Sequence, residues 1–241
     1  IFTVLMLFGA AVLLWAWFKL PETLDPADRM PISAWRIGKG MARTLTHRVA
    51  LGYMLAMTLI MGGLFGYITS VQRIFAQVFD AEAWFPSMFA LSAGFMALSS
   101  LINSRIVGRM GTRRVSHGAL IGFLFFSALH SLVAWAGFET IWSFTLLQAG
   151  TMFFFGLIGP NFGSLSMEPL GHIAGTASSV QGFVTMVGGS LLGFFIGHQF
   201  AGTTLPMTLG FTGYGALALG VVLITERGRL SLRAVAAPPA C

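Results

Sequence analysis

The chain has 241 residues, 56% of them apolar and only 9% charged, with 14 Lys and Arg against 8 Asp and Glu. A soluble domain carries about 25% charged residues, so a water-facing surface cannot be built from this composition. The one cysteine, Cys241, excludes an intrachain disulfide, a zinc site or a redox pair, and no metal site is expected.

Seven apolar segments are each long enough to cross a bilayer, which takes about 17–25 helical residues. They cover 1–18, 49–70, 84–104, 115–138, 140–162, 173–197 and 205–225. The predicted fold class is all-α, a polytopic membrane helix bundle. The first segment ends on Trp15, Trp17 and Lys19, an interfacial exit, and Pro21 stops it. It has no basic start and no small-residue cleavage site, so it is not a signal peptide. Because the sequence opens at Ile1 inside an apolar run, we expect a fragment with further spans upstream.

Residues 19–48 form the longest connection, broken by Pro21, Pro26 and Pro31 and acidic at Glu22, Asp25 and Asp28. Ser33 can cap a short helix there, with Ile32, Trp35 and Met41 on lipid and Arg36, Lys39 and Arg43 in water. An unstructured linker is the other reading.

Segment two carries Gly52, Gly62, Gly63 and Gly66, which permit close helix approach, and places Phe65, Ile68 and Gln72 on one face. Segment three starts with Pro86 and ends at Asn103, followed by the basic loop NSRIVGRMGTRR. Segment four places His130 toward its far end, and a tight turn at Phe138 and Glu139 leads to segment five. That segment ends in GLIGPNFG, where Gly159 and Pro160 should interrupt the helix and Asn161 should satisfy the freed backbone groups. Segment six is rich in small side chains and should pack inside the bundle; segment seven is uncharged until Glu226.

Threading the segments back and forth puts thirteen of the fourteen cations on one side. They are Lys19, Arg29, Arg36, Lys39, Arg43 and Arg48, then Arg105, Arg109, Arg113 and Arg114, then Arg227, Arg229 and Arg233. Only Arg73 falls opposite, near Asp80 and Glu82, with Glu139 on the same poor side. Cytoplasmic loops retain Lys and Arg, so the C-terminus is expected in the cytoplasm. This placement makes the cations topology determinants that also meet anionic lipid, not a nucleic-acid surface.

The loop N-S-R-I-V-G-R-M-G-T-R-R resembles the G-x-x-x-D-R-x-G-R-R signature of the major facilitator superfamily, with Ser104 in place of the first Gly and Gly108 in place of the Asp. In it Gly111 supplies a turn, and Arg109, Arg113 and Arg114 can reach helix-end carbonyls or carboxylates. Residues 159–183, GPNFGSLSMEPLGHIAGTASSVQGF, look like the junction of helices ten and eleven in the Bcr/CflA drug-resistance branch of that superfamily. LPETL at 20–24 and FGYITSVQRIFAQVF at 65–79 resemble that branch's ends of helices six and seven.

The resemblance implies the C-terminal six-helix half of this transporter fold plus one preceding helix. Residues 1–18 would be the last helix of the amino half, 19–48 a cytoplasmic linker, 49–225 the six-helix bundle and 226–241 a cytoplasmic tail. It implies a bacterial inner-membrane exporter of drug-like or small amphipathic molecules, an antiporter driven by the proton gradient and working by alternating access. No cofactor is implied. The partners would be membrane lipid, the small-molecule substrate and the missing amino half. No Asp, Glu, Lys or Arg lies deep in a segment, and the resemblance places the coupling acid in the absent half; His130 is the one deep titratable side chain.

Cavity-lining candidates on segments two, three, five and six are Phe65, Gln72, Phe95, Gln148, Met152, Phe154 and Gln181. Aromatic and Met surfaces accept varied apolar shapes, and Gln both donates and accepts hydrogen bonds; packing or lipid contact is the competing role. Glu168 is expected to pair with Arg109 or Arg113 when the cytoplasmic side is closed. A seven-helix receptor or sensor has the same span count, but segment seven lacks the Lys a retinal pigment needs. No H-E-x-x-H or intramembrane aspartate pair points to an enzyme.

Overall fold

A computed structural model describes residues 2–21 and 33–230. The expectations for Glu22, Asp25, Pro26, Asp28, Arg29, Pro31 and Ile32, and for the tail with Arg233 and Cys241, lie outside the described residues. The chain divides between Ile37 and Gly38 into two units. In the first, helix α1 (Phe2–Lys19) is apolar around its whole circumference and buries no side chain, the character of a span rather than of a surface helix.

Helix α2 (Ala34–Thr46) crosses the unit boundary and is strongly amphipathic. Arg36, Lys39 and Arg43 follow one face, and Ile37, Met41 and Leu45 follow the opposite one at i, i+4 and i+8. At about 100° per residue Trp35 stands about 120° from Met41, so the two do not share the expected lipid stripe.

The second unit is built from α3 (Arg48–Gln77), α4 (Phe85–Met110), α5 (Thr112–Trp135), α6 (Ile141–Met167), α7 (Ala174–His198) and α8 (Leu205–Thr225). Six described stretches are long and apolar enough to cross a membrane. One of these, Ile141–His198, is α6 and α7 read through the 3-10 turn Glu168–Ile173, where Leu170 leaves helical geometry. Each predicted segment therefore has its own helix.

Two expectations need correction. The basic loop is almost entirely helical: α4 runs to Met110, α5 starts at Thr112, and Gly111 alone turns the chain, at φ +84°. The Arg-rich turns remain helical because Arg is a good helix former whose long stem lets its charge reach water. Nor do Gly159 and Pro160 break α6, which continues through Pro160 to Met167. Asn161 Nδ2 donates to the Leu157 carbonyl at 2.7 Å and to Asn103 Oδ1 at 2.7 Å. These bonds support the helix where the proline ring loosens it.

Helix α3 lies at the centre, packed on α7, α8 and α6, while α5 joins α6 to α8. The buried side chains of α4 are Met88, Ser92, Ser99 and Asn103, a polar stripe turned to α6. In lipid, such small and polar side chains drive helix association, because apolar burial between helices gains little over contact with acyl chains.

Arg73, the exception to the charge asymmetry, serves this packing. Its guanidinium donates to the Gly197 carbonyl at 2.8 Å and stands 4.9 Å over the Phe200 ring. It caps the C-terminal end of α7, where a cation is favoured by the helix dipole.

Candidate functional site

At the end of the bundle that carries the arginines, five side chains from four helical regions meet. Tyr53, in the second turn of α3, donates its hydroxyl to Glu226 Oε1 at 2.6 Å, and its oxygen is 2.9 Å from His117 Nε2. With the tyrosine proton committed to the carboxylate, His117 Nε2 is the donor in that second bond. Arg113 reaches Glu226 Oε1 through Nε at 3.1 Å and Glu168 Oε2 through Nη2 at 2.7 Å, with Nη1 at 3.4 Å from Glu168 Oε1. The network thus ties the arginine-side ends of α3, α5, α8 and the α6–α7 turn.

Of the two partners expected for Glu168, Arg113 is the one found; Arg109 is exposed and has no ion pair among the described residues. Arg114 is half-buried and also makes no ion pair among them. Sequence reasoning misses Tyr53, and it does not show that His117, near the arginine-side end of α5, is fully buried. The available signal was its position two residues inside segment four, level with the first charge after segment seven.

Burial acts to raise the Glu226 carboxyl pKa, but the Tyr53 hydroxyl and the Arg113 guanidinium outweigh it and hold the group below the usual carboxylate range. A depressed carboxylate stabilises the fold above its unfolded pKa, and that contribution is lost as the pH falls through the folded value. Glu226→Gln is therefore expected to cost about 1–2 kcal/mol at neutral pH and to flatten the acid limb of stability. Thermal unfolding of the detergent-purified full-length protein, scanned from pH 7 down to about pH 3, measures both.

The predicted cavity residues do not converge on one surface. Phe65 is half-buried against Gly189 and Gly193 of α7. Phe154 covers Gly122 and packs at a tilt against Phe126, both on α5. Gln148 and Met152 are fully buried, one turn apart on α6. Gln181 lies beside Gly163 of α6, Phe95 is half-buried on α4, and Gln72 is exposed near the far end of α3. Periodicity could place these residues on helices but could not say which neighbour each face meets.

Comparison with known proteins finds two relatives. A bicyclomycin resistance protein homolog of Haemophilus influenzae (strain ATCC 51907 / DSM 11121 / KW20 / Rd) is 27% identical over 217 residues, 86% of this chain and 52% of the relative. An uncharacterized MFS-type transporter of Bacillus subtilis (strain 168) is 26% identical over 211 residues, 86% of this chain and 51% of the relative. The chain spans about half the length of the curated relatives it matches. No family model matches, and no solved structure matches. The resemblance to the Bcr branch of major facilitator transporters, and to transporters rather than enzymes, is borne out by these likenesses.

Proposed function

We propose that the chain is the carboxyl-terminal half of a proton-coupled exporter of small amphipathic molecules, seated in the bacterial inner membrane with its arginine-rich end in the cytoplasm. The observation that carries this is the pairing of a six-helix bundle, α3 to α8, with two relatives matched along about half their length. In this reading the bundle rocks against an amino half about a central site. The Arg113–Glu168–Glu226 network joins helices of one bundle, so it braces this half as a rigid body when the cytoplasmic side is closed. The helices α3, α4, α6 and α7 supply the cargo-facing surfaces.

The relative's name supplies the probe. Cells expressing the full-length gene should tolerate more bicyclomycin than cells with the empty vector, and a proton uncoupler should restore drug accumulation. Equal accumulation in both strains, with the protein present in the membrane, would overturn the exporter reading.

A further inference from the structure

The interior of the bundle holds one large polar side chain whose hydrogen-bonding groups go unused. Gln148 is 1% exposed, and neither its Nε2 nor its Oε1 has a partner among the described residues. It lies one turn after Phe144 on α6. That side faces α3, because Phe144 meets Phe75 with ring centroids 5.7 Å apart and Phe162 meets Tyr53 at 5.2 Å. The antiparallel register set by those two contacts puts Gln148 level with Ser70 and Val71, with Tyr67 one turn further along α3. Tyr67 is 3% exposed, and its ring stacks on Phe89 of α4, with centroids 5.7 Å apart and planes 11° apart. Helix α6 carries no ionisable side chain, and α3 carries no Asp, Glu, Lys or Arg between Arg48 and Arg73.

A buried primary amide with no partner destabilises the packed state, and Leu would fill nearly the same space without that cost. Such a group fits a protein that must meet a polar ligand in another conformation. On the carrier reading above, we propose that Gln148 is the hydrogen-bonding anchor of a cargo site occluded in this conformation, with the Tyr67–Phe89 pair as its lid. The group it receives is neutral and both donates and accepts, as an amide or hydroxyl pair does. A charged group would find no counter-ion on these two helix faces.

The test separates stability from transport, using the full-length protein and bicyclomycin as probe. Gln148→Leu should melt a few degrees above the wild type, while export falls at least tenfold at equal protein level. Gln148→Asn, which keeps the amide, should retain more export than Gln148→Leu. Tyr67→Phe keeps the ring stack and should transport close to wild type. A Gln148→Leu protein that melts lower than wild type makes Gln148 a paired structural residue and overturns the proposal. So does one that exports as well as wild type. If the wild type itself exports no bicyclomycin, the melting comparison still decides whether Gln148 is an unpaired amide held against stability, and a rise on Gln148→Leu with no effect of any ligand overturns the cargo assignment. Failure of the wild type alone counts against the exporter reading, not against this site.

Discussion

Glu139→Ala is expected to lower the stability of the full-length protein by about 2–5 kcal/mol, because each of the two buried polar groups it leaves without a hydrogen-bond partner costs about 1–3 kcal/mol. Glu139 sits in the turn between α5 and α6, and its Oε1 is 2.7 Å from His130 Nε2, with side chains 8% and 2% exposed. Its second oxygen accepts the hydroxyl of Thr204, at the start of α8. Phe144 of α6 closes the other side, its ring 5.2 Å from the imidazole and nearly perpendicular to it. One carboxylate therefore fastens three helices at the end opposite the arginines. Truncation leaves the imidazole and the threonine hydroxyl without partners in a place water does not reach.

Glu139→Gln keeps an acceptor for Thr204 and should cost about 1 kcal/mol. In a double-mutant cycle, His130→Ala with Glu139→Ala should cost less than the two single changes added together. Thermal or denaturant unfolding in detergent gives all four values. A Glu139→Ala protein as stable as wild type would mean the pair does not form.

Gly193→Leu is expected to prevent the bundle from assembling, with a loss above about 3 kcal/mol, the upper end for overpacking where the backbone itself must move. A Cβ at Gly193 would press on Phe65 Cβ and come 2.8 Å from the Gly66 amide nitrogen. The neighbouring contacts repeat this arrangement. Met61 lies over Gly189, Phe65 over Gly193 and Thr69 over Gly197, while Leu192 and Ile196 of α7 lie over Gly62 and Gly66 of α3. The constant offset shows that α3 and α7 run parallel, with ridges of each seated in glycine grooves of the other. Size-exclusion profiles of Gly193→Leu should show aggregate in place of the monodisperse wild-type peak. Gly175→Leu is the control, since nothing lies within 4 Å of a Cβ there; if both behave alike, the seam is not close-packed.

The spans were legible because their signal is one-dimensional: an apolar run of bilayer length needs no knowledge of its neighbours. Gly62, Gly63 and Gly66 likewise announced a close approach, although the sequence could not say that α7 supplies the partner side chains at Gly62 and Gly66 and α8 at Gly63. Helix ends were less legible, because Asn103 to Arg109 look like a loop by charge and yet continue α4 as far as Met110. Pro160 misled for a related reason: the carbonyl-binding side chain that lets α6 pass through it belongs to the next residue, Asn161. Side-chain pairings were illegible. His130 stood out as a lone titratable group, and Glu139 as a loop charge, but only the fold brings them within 2.7 Å. Phe65 was assigned to a cavity from its face of α3, a face that α7 in fact covers.

In the proposed orientation the arginine-bearing ends of these helices face the cytoplasm. This orientation is tested most directly by labelling intact cells with a membrane-impermeant thiol reagent. The two proteins compared are the full-length wild type, whose thiol here is Cys241, and a Thr203→Cys variant with Cys241 changed to Ser. Thr203 is exposed in the turn between α7 and α8, at the opposite end from the arginines. Rapid labelling at position 203 from outside is expected, with labelling of Cys241 only after the cells are permeabilised. Labelling of Cys241 in intact cells, with position 203 protected, would contradict this orientation.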